Sequence, residues 1–271
     1  MIYGLFPVNF IYKCGCRGRE RMKRIGEQIL DWLYPPRCIF CQQILPIQGE
    51  RHCCLECRQD LPWNQGRGCR RCGKPLSTQE EDFCKECKEK ERFFIQGFGV
   101  FRYEGRVQEA LYRFKYGGHG EYGKSLAFLM KPYVEKHLTS LPVQLLIPVP
   151  LHPRRQKQRG YNQAEEIGKY IGKILGLPLE NKVLIRTKAT QPQSKLSPMA
   201  RWNNTKDAFA VLDPLKIKDK FILIIDDIYT TGSTMDACSK TLVEQGAAGV
   251  YFLTVSIGHL QNKKESIILK K

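Results

Sequence analysis

The sequence predicts an α/β protein with a mainly parallel sheet covered by helices on both faces, preceded by a small zinc-ribbon module. Two observations predict this class. After residue 95, short apolar runs typical of strands alternate with stretches of helical period, which is the pattern of βαβ units. Before residue 95, four Cys-x-x-Cys pairs follow one another between residues 38 and 87, which is the pattern of paired zinc knuckles.

Length, composition and charge limit the possible classes. The 271 residues correspond to about two domains at a typical ~150 residues each. With 42% hydrophobic and 26% charged residues, the chain can build a core, which excludes wholesale disorder. No apolar run approaches the ~20 residues of a membrane span. The 44 Lys and Arg against 27 Asp and Glu give a net charge of +17, which favours an anionic partner such as phosphate, nucleic acid or acidic lipid.

Eight of the twelve cysteines form the four pairs, with 12 residues between the first two pairs and 11 between the last two. Two residues between thiolates let both sulfurs face one ion, so two pairs complete a tetrahedral site. The alternative is a disulfide framework, but residues 1–12 make a poor secretory signal, which favours a cytoplasmic location and metal. We predict two structural Zn²⁺ ions, and which pairs share an ion stays open. The predicted ligands are Cys38, Cys41, Cys54, Cys57, Cys69, Cys72, Cys84 and Cys87.

Four segments are predicted along the chain. Residues 1–21 fit nothing that follows, and a helical run begins at Met22. We therefore expect 1–21 to be a non-native start extension or disordered. Residues 22–95 form the double zinc-ribbon module, 96–258 the α/β domain and 259–271 a basic tail. Because sites closed by four cysteines leave no coordination position for chemistry, ligand binding is expected in the α/β domain.

The elements of the α/β domain follow from local patterns. Apolar residues at helical spacing mark the helices, and Asn162 followed by Glu165 predicts a capping box at the start of one of them. Phe221–Ile225 is a continuous apolar run typical of a fully buried strand, whereas Pro148 and Pro150 would interrupt any central ladder. The predicted strands are 97–103, 145–149, 183–185, 221–225 and 250–255, and the predicted helices lie around 107–114, 123–138, 162–174 and 233–245.

One glycine-rich segment offers an alternative function. Gly118–Ser125 satisfies the G-x4-G-K-[ST] pattern of a P-loop ATPase. Such a loop should follow a buried strand, but Val107–Tyr116 before it has helical period. Glu121 would also place a carboxylate beside the phosphates. We therefore interpret the segment as a turn between two helices and keep an ATPase as an alternative.

The strongest functional signal is the segment from Phe221 to Thr234. A buried strand leads to Asp226 and Asp227 at its carboxyl end, where open α/β sheets bind ligands. The next turn is small and rich in hydroxyls and opens a helix, so its N–H and O–H groups can surround a phosphate. Carboxylates beside a phosphate site suit a sugar phosphate, because they accept hydrogen bonds from ribose hydroxyls. The predicted ligand residues of this segment are Asp226, Asp227, Thr230, Thr231, Gly232, Ser233 and Thr234.

Residues 225–234 resemble the phosphoribosyl-pyrophosphate signature of type I phosphoribosyltransferases. Joined to the four cysteine pairs, they make the chain similar to the ComF family, whose members are ComFC-like competence proteins with an amidophosphoribosyltransferase-like character. The resemblance covers about residues 22–257. Other segments that fit the family pattern are Pro148-Val-Pro150, Arg155, residues 159–164, Gln193-x-x-Leu196, Arg201-x-x-Asn204 and Ala208-Phe209.

The resemblance implies a type I phosphoribosyltransferase-like fold for 96–258 and a role for each part of the site. Asp226 and Asp227 would hold the ribose 2′- and 3′-hydroxyls, and the turn after them the 5′-phosphate. The loop Val149–Arg155 would bind pyrophosphate through His152, Arg154 and Arg155, the alternative being a solvated basic loop.

Two further positions are implied by the family pattern. Lys188–Lys206 would be a mobile loop that closes over the ligand, with Arg201 and Gln193 as its ligand residues. Lys115 matches a recurring family position, although a helix-surface lysine is the alternative. Residues 150–206 hold 12 basic and 3 acidic groups, so much of the positive charge lies along this stretch.

The resemblance leads to two functional hypotheses. The first is a phosphoribosyltransferase that acts on Mg²⁺-bound phosphoribosyl pyrophosphate in nucleotide metabolism, with an acceptor and catalytic residues that the sequence does not identify. The second is a non-catalytic protein on the same fold that binds single-stranded nucleic acid through basic groups and aromatic platforms such as Tyr116, Tyr161 and Trp202. The family resemblance implies a role in DNA uptake during competence, with single-stranded DNA and a competence helicase as partners.

Overall fold

The computed structural model describes residues 32–46, 51–78, 81–187 and 208–258. Its centre is a four-stranded sheet in which every neighbouring pair is parallel, in the order β1-β6-β5-β2. A separate antiparallel pair joins β3 to β4. This architecture confirms the predicted mainly parallel sheet. The strands are β1 (Gln96–Arg102), β2 (Leu145–Pro148), β3 (Leu184–Arg186), β4 (Phe209–Val211), β5 (Phe221–Tyr229) and β6 (Gly249–Ile257).

Helices cover both faces of the sheet. The helices within the described ranges are α1 (Leu55–Gln59), α2 (Lys85–Glu89), α3 (Gly105–Tyr116), α4 (Tyr122–Leu138), α5 (Pro153–Arg159), α6 (Gln163–Leu175) and α7 (Ser233–Glu244). One face of the sheet packs against α3, α4 and α6, and the opposite face packs against α7. Strand β5 serves both cores because alternate side chains point to opposite faces: Leu223 and Ile225 join the first core, and Ile222 and Ile224 the second.

Three local details differ from the predictions. Strand β5 runs on to Tyr229 and includes both aspartates, because it continues to pair with β6 as far as Ile257. Strand β3 pairs outside the main sheet with β4, which is not among the predicted strands. The capping box before α6 is incomplete: Asn162 accepts a hydrogen bond from the Ala164 amide at 3.1 Å, whereas Glu165 accepts one from the Asn181 side chain at 2.9 Å.

The two halves of the zinc-ribbon module join opposite cores. The first ribbon shares its apolar core with α3 and α4. There Arg113 on α3 donates hydrogen bonds to the carbonyls of Ile39 and Phe40 at 3.0 and 2.6 Å. The second ribbon shares its core with α7 and the other face of the sheet. Each ribbon therefore packs as part of the α/β domain.

Within the described ranges, no helix has both the length and the apolar character needed to cross a bilayer.

Candidate functional site

The centre of the site is the carboxyl end of β5. Asp226 pairs with Thr254 on β6, and Asp227 follows it within the strand. Their side chains leave opposite faces of the strand. Asp226 turns back to accept a hydrogen bond from the Asp227 amide at 2.8 Å. Both carboxylates therefore lie at the edge of the sheet where such folds bind ligands.

Asp227 is paired with a lysine from α3. The Lys115 Nζ lies 2.9 Å from Asp227 Oδ1, and both side chains are mostly buried, with 20% and 11% exposed. Burial lowers the pKa of Lys115, but the charge and hydrogen bond of Asp227 and the charge of Asp226 outweigh it and raise that pKa. This geometry favours the site position over the helix-surface alternative for Lys115.

Asp226 carries the most informative titration of the site. Burial, followed by repulsion from Asp227, raises the pKa of Asp226 to about 7, although the charges of Lys115 and Arg186 oppose the shift. A carboxyl group with such a pKa is half ionised near neutral pH, and perturbed carboxyls of this kind gather at functional sites. Asp226 can therefore exchange a proton or gain charge when a cation or hydroxyl donor arrives.

The turn that follows β5, residues 230–234, opens α7. Gly232 has φ = 79° and caps the helix, a left-handed conformation that glycine adopts without strain. A side chain there would also collide with the ring and hydroxyl of Tyr229. The Thr231 and Ser233 hydroxyls lie 3.1 Å apart. Backbone amides and hydroxyls are thereby gathered at the start of a 12-residue helix, a geometry suited to an anion.

Tyr229 lies beneath this turn. It is 2% exposed, stacks on Phe252 with a centroid distance of 4.9 Å, and lies 5.7 Å from the Lys74 ammonium. Burial, followed by the charge of Cys72, raises the pKa of Tyr229 well above its usual value. Sequence reasoning missed this tyrosine, because its partners lie far away along the chain.

Arg92 and Phe93 contact the same turn from the second ribbon. The Arg92 Nη2 atom donates to the Thr231 carbonyl at 3.4 Å, and its guanidinium forms a hydrogen bond with the Cys87 sulfur. The Phe93 amide donates to Asp236 on α7 at 2.9 Å. The second ribbon thus contacts both the turn and the first turn of the helix that follows it.

The predicted pyrophosphate loop is partly helical. Pro153–Arg159 forms α5, and His152 caps it by accepting a hydrogen bond from the Arg154 amide at 3.3 Å. Arg154 is exposed, whereas Arg155 is half-buried. Burial lowers the pKa of Arg155, as does its neighbour Arg159. Because the Val149 amide donates to the Ile225 carbonyl at 2.9 Å, this loop leaves β2 beside the aspartates.

Arg186 is a second site residue that sequence reasoning missed. It ends β3, is 8% exposed, and lies 5.3 Å from the Phe209 ring. Burial lowers the pKa of Arg186, and the charge of Arg155 lowers it further, whereas nearby Asp226 opposes the shift. The only signal in the sequence is a lone arginine at the end of a short strand. The charges of Arg155 and Asp226 therefore both act on Arg186.

Exposed aromatic rings lie on the outer side of the same site. Tyr112 and Tyr116 on α3 are 64% and 61% exposed, with ring centroids 5.0 Å apart. The Arg159 guanidinium lies 5.2 Å from the centre of the Tyr116 ring. Tyr161, in contrast, donates its hydroxyl to the Phe114 carbonyl and packs against the Phe114 ring, which is a structural role.

Several predicted positions lie elsewhere or outside the described residues. Gly118–Ser125 follows α3 rather than a strand, which confirms the predicted turn between helices, and the Ser125 hydroxyl lies 3.0 Å from His52 Nδ1. The predicted ligand residues Gln193 and Arg201, together with Trp202, lie outside the described residues, as do the terminal segments 1–21 and 259–271.

The eight predicted zinc ligands form two clusters of four. The first cluster is Cys38, Cys41, Cys54 and Cys57, and the second is Cys69, Cys72, Cys84 and Cys87; within each, the sulfurs lie within 4.8 Å of one another. The pairs therefore combine sequentially, which resolves the open alternative. The Cys41–Cys54 and Cys72–Cys84 sulfurs are 3.7 and 3.6 Å apart, close to the ~3.8 Å edge of a tetrahedron with ~2.3 Å Zn–S bonds.

The electrostatics of the second cluster also fit a metal. Interactions with Cys69 and Cys84, the largest contributions, raise the pKa of Cys72, whereas interactions with Cys72 and Cys84 lower that of Cys69. Four neighbouring thiols cannot all ionise without a compensating cation. A divalent ion removes this conflict, so both the donor set and the spacing fit structural zinc.

Known proteins resemble both parts of the chain. A family profile described as "Double zinc ribbon domain" matches residues 29–88, the region of the two clusters. Similar solved structures include phosphoribosylpyrophosphate synthetase from Mycobacterium smegmatis, at 17% identity and TM-score 0.30, and purine phosphoribosyltransferase from Pyrococcus horikoshii, at 12% identity and TM-score 0.31. These matches cover 48% and 51% of this chain, and 33% and 74% of the respective structures.

Curated relatives match along most of their length. Competence protein F of Haemophilus influenzae is 30% identical over 217 residues, which is 78% of this chain and 92% of the relative. DNA utilization protein YhgH of Escherichia coli is 27% identical, with 80% and 94% covered. Competence protein ComFC of Bacillus subtilis is 26% identical, with 74% and 82% covered. Identity of this extent, together with the double zinc ribbon ahead of a parallel α/β domain, shows that the chain belongs to the ComF family of competence and DNA-utilization proteins.

Proposed function

We propose that the protein binds phosphoribosyl pyrophosphate, or a related ribose 5-phosphate, at the carboxyl end of β5. One observation carries the proposal: a single continuous segment presents two carboxylates and then a glycine-capped helix start. Asp226 and Asp227 would accept hydrogen bonds from the ribose 2′- and 3′-hydroxyls. The stretch of chain between Asp226 and Thr230 is short. One sugar phosphate could therefore reach the carboxylates with its hydroxyls and the turn with its phosphate.

The 5′-phosphate would occupy the 230–234 turn. The first amides of α7 have no partner within the helix and would point toward the ligand, and the helix dipole favours an anion there. The hydroxyls of Thr230, Thr231, Ser233 and Thr234 would add donors. Gly232 keeps the backbone accessible, because its position carries no side chain.

Arg155 and Arg186 would stabilise the pyrophosphate end of the ligand, since guanidinium groups match phosphate oxygens. His152 and Arg154 lie on the same loop, and Arg201 is proposed from the family pattern alone. Mg²⁺ would accompany the pyrophosphate as its counter-ion. If the protein is a phosphoribosyltransferase, these cations would stabilise the leaving pyrophosphate, and no described side chain identifies the acceptor.

The names of the relatives extend the proposal to the cell. Two curated relatives are named as competence proteins and one as a DNA utilization protein. We infer that this chain acts in DNA uptake or utilization, where a helicase is a fitting partner.

A thermal-shift screen followed by calorimetry tests the proposed ligand. Mg-phosphoribosyl pyrophosphate and ribose 5-phosphate should stabilise the protein, because a ligand that binds only the folded state raises Tm. Asp226→Ala/Asp227→Ala should lose that shift. ATP should give no shift that depends on Lys124. If ATP hydrolysis instead survives in the aspartate variant and disappears in Lys124→Ala, the P-loop alternative is correct and this proposal is wrong.

A second candidate function is single-stranded nucleic-acid binding. The exposed pair Tyr112 and Tyr116, with Arg159 above the Tyr116 ring, favours it. Aromatic stacking contributes about 1–3 kcal/mol per base, and the neighbouring basic groups would contact phosphates. Tyr116→Ala should weaken oligonucleotide binding by about tenfold or more, on the order of one stacked base, while ribose 5-phosphate binding stays unchanged.

Competition separates the two functions. If oligonucleotide and phosphoribosyl pyrophosphate share the site, each should displace the other in fluorescence anisotropy. Unchanged DNA binding in Asp226→Ala/Asp227→Ala, with no competition, would show that the two ligands use different surfaces.

A further inference from the structure

We propose that the second cysteine cluster is a positioning element for the phosphate-binding turn and acts through Tyr229 and Arg92. The inference rests on the proposed function for its ligand, but its geometry is independent of that ligand. It goes beyond a structural metal site because it connects the cluster to the affinity of the turn for phosphate. The side chains of Tyr229 and Arg92 and the backbone amide of Phe93 connect the second cluster to the turn and its helix.

The first connection runs from Cys72 through Tyr229 to Gly232. Tyr229 packs in the same buried cluster as Cys72, and the Cys72 thiol is near enough for its charge to act on the Tyr229 hydroxyl. The same hydroxyl lies directly behind Gly232, where it would meet any added Cβ. Stacking on Phe252 at 4.9 Å, with an interplanar angle of 7°, keeps the ring from rotating away. Tyr229, packed against the second cluster, therefore limits how far the 230–234 turn can move toward that cluster.

The second connection runs from Cys87 through Arg92 to Thr231. The Arg92 guanidinium forms hydrogen bonds with the Cys87 sulfur and, at 3.4 Å, with the Thr231 carbonyl. The Thr231 carbonyl and the Gly232 amide belong to one peptide unit and point in opposite directions. When Arg92 holds the carbonyl away from the ligand, the amide therefore faces the phosphate. One planar side chain thus joins a metal ligand to the backbone of the turn.

The third connection fixes the helix behind the turn. The amide of Phe93, the residue after Arg92, donates to Asp236 Oδ1 at 2.9 Å. Asp236 is 2% exposed and lies in the first turn of α7. Since the amides of this helical turn are the proposed phosphate donors, the segment that leaves the second cluster holds both ends of the phosphate site.

The charge of the cluster suits this role. Four thiolates around one Zn²⁺ carry a net charge of about −2, and zinc-bound sulfurs still accept hydrogen bonds. Three hydrogen-bond donors lie near the second cluster: the Tyr229 hydroxyl, the Arg92 guanidinium, and the Lys74 ammonium, which is 5% exposed and pairs with Glu86 at 3.1 Å. A metal-thiolate centre would orient these donors more firmly than neutral thiols.

The first cluster supplies a matched control. Arg106 on α3 donates to the Cys57 sulfur at 2.7 Å, so an arginine contacts a cysteine ligand there as well. Arg106 belongs to α3 rather than to the phosphate-binding turn. Arg92→Gln and Arg106→Gln therefore remove the same chemical contact from the two clusters, and only the first change should affect the turn.

The test measures ribose 5-phosphate affinity by calorimetry and amide hydrogen exchange of residues 230–236. Tyr229→Phe keeps the ring and removes the hydroxyl that lies behind Gly232, and it should weaken binding about three- to tenfold, the range of one polar contact. Arg92→Gln should weaken binding about tenfold or more, because a charged hydrogen bond is lost, and Arg92→Lys should restore part of the loss. Exchange of residues 230–236 should accelerate in both variants while α6 is unchanged.

The outcomes separate this proposal from the proposed function. All variants should keep two equivalents of zinc, which excludes metal loss as the cause. Unchanged affinity and unchanged exchange in Tyr229→Phe and Arg92→Gln would overturn the positioning role, as would an equal loss in Arg106→Gln. If the wild-type protein binds neither ribose 5-phosphate nor inorganic phosphate, the proposed function fails, and the exchange of residues 230–236 alone decides the positioning role.

Discussion

The two cysteine clusters share a motif but differ in their surroundings. In the first, Cys41 and Cys54 are only half-buried, whereas all four cysteines of the second are buried. The first ribbon packs on α3, which carries Lys115 near its end. The second packs behind the 230–234 turn. The two ribbons therefore pack against different parts of the candidate site, and those parts meet where Lys115 pairs with Asp227.

Burial around a metal site, rather than the spacing of its ligands, thus indicates what the site supports. A cluster at the protein surface can lose a ligand to water with little effect on its neighbours. For the cluster that packs under the 230–234 turn we expect a larger effect, because Tyr229 and Arg92 lie between its cysteines and the turn. Four experiments probe this difference between the ribbons.

The largest effect is expected from serine substitutions of matched ligands. Cys72→Ser should destabilise the protein by about 4 kcal/mol or more, because it combines loss of a metal ligand with a polar hydroxyl at a fully buried position. Cys41→Ser, at the more exposed cluster, should cost roughly half as much. Denaturant unfolding and zinc content measure the difference. Equal losses in the two variants would contradict the distinction between the clusters.

The second-largest loss of stability is expected when the ion pair between Lys115 and Asp227 is broken. Lys115→Met leaves Asp227 without its partner in a mostly buried site and should cost about 3 kcal/mol. Adding Asp227→Asn should restore part of that stability, because the uncompensated charge is gone. A double-mutant cycle by chemical denaturation gives the coupling. A coupling near zero would mean that the ion pair does not join the two parts.

A pH-dependent effect is expected at Asp226. Its pKa is raised to about 7 in the folded protein, against roughly 3.9 when unfolded. The unfolded chain therefore loses this proton first, so stability falls as pH rises from about 4 to 7. Asp226→Asn removes this contribution and should stabilise the protein at pH 7.5 by up to about 4 kcal/mol, which corresponds to roughly 3 pKa units at about 1.4 kcal/mol each, but not at pH 4. Thermal denaturation at both pH values measures it, and an equal effect at both would refute the assignment.

The smallest effect is expected where the first ribbon meets α3. Arg113→Gln removes hydrogen bonds to the carbonyls of Ile39 and Phe40 and should cost about 1 kcal/mol. Because the ribbon core remains, zinc content should not change. Ribose 5-phosphate affinity should also stay within about twofold. A large loss of affinity would show that the first ribbon, too, controls the turn.

The parts of the site that lie in one segment can be predicted from the sequence. Paired cysteine spacing predicts the eight ligands and two metal sites, although not which pairs share an ion, and the apolar run before Asp226 predicts the strand, turn and helix in order. The extension of β5 to Tyr229 cannot be predicted, because it depends on pairing with β6. An apolar run indicates a strand but not how far its partner continues.

Contacts between segments that are distant along the chain could not be predicted from the sequence. Arg92, Tyr229 and Arg186 matter through partners that the fold brings close, and nothing in their own neighbours marks them. Family resemblance alone suggests a site role for Lys115, and only the position of Asp227 beside it removes the surface alternative. A buried charge indicates a functional role only when its partner is known, and the tertiary structure determines that partner.

A crystal structure of the protein with bound ribose 5-phosphate would decide whether the carboxyl end of β5 is the sugar-phosphate site. The phosphate is expected within hydrogen-bond distance of the amides of residues 231–234, with the ribose hydroxyls on Asp226 and Asp227. A phosphate bound instead at Gly118–Ser125, or ribose hydroxyls distant from both aspartates, would contradict this assignment.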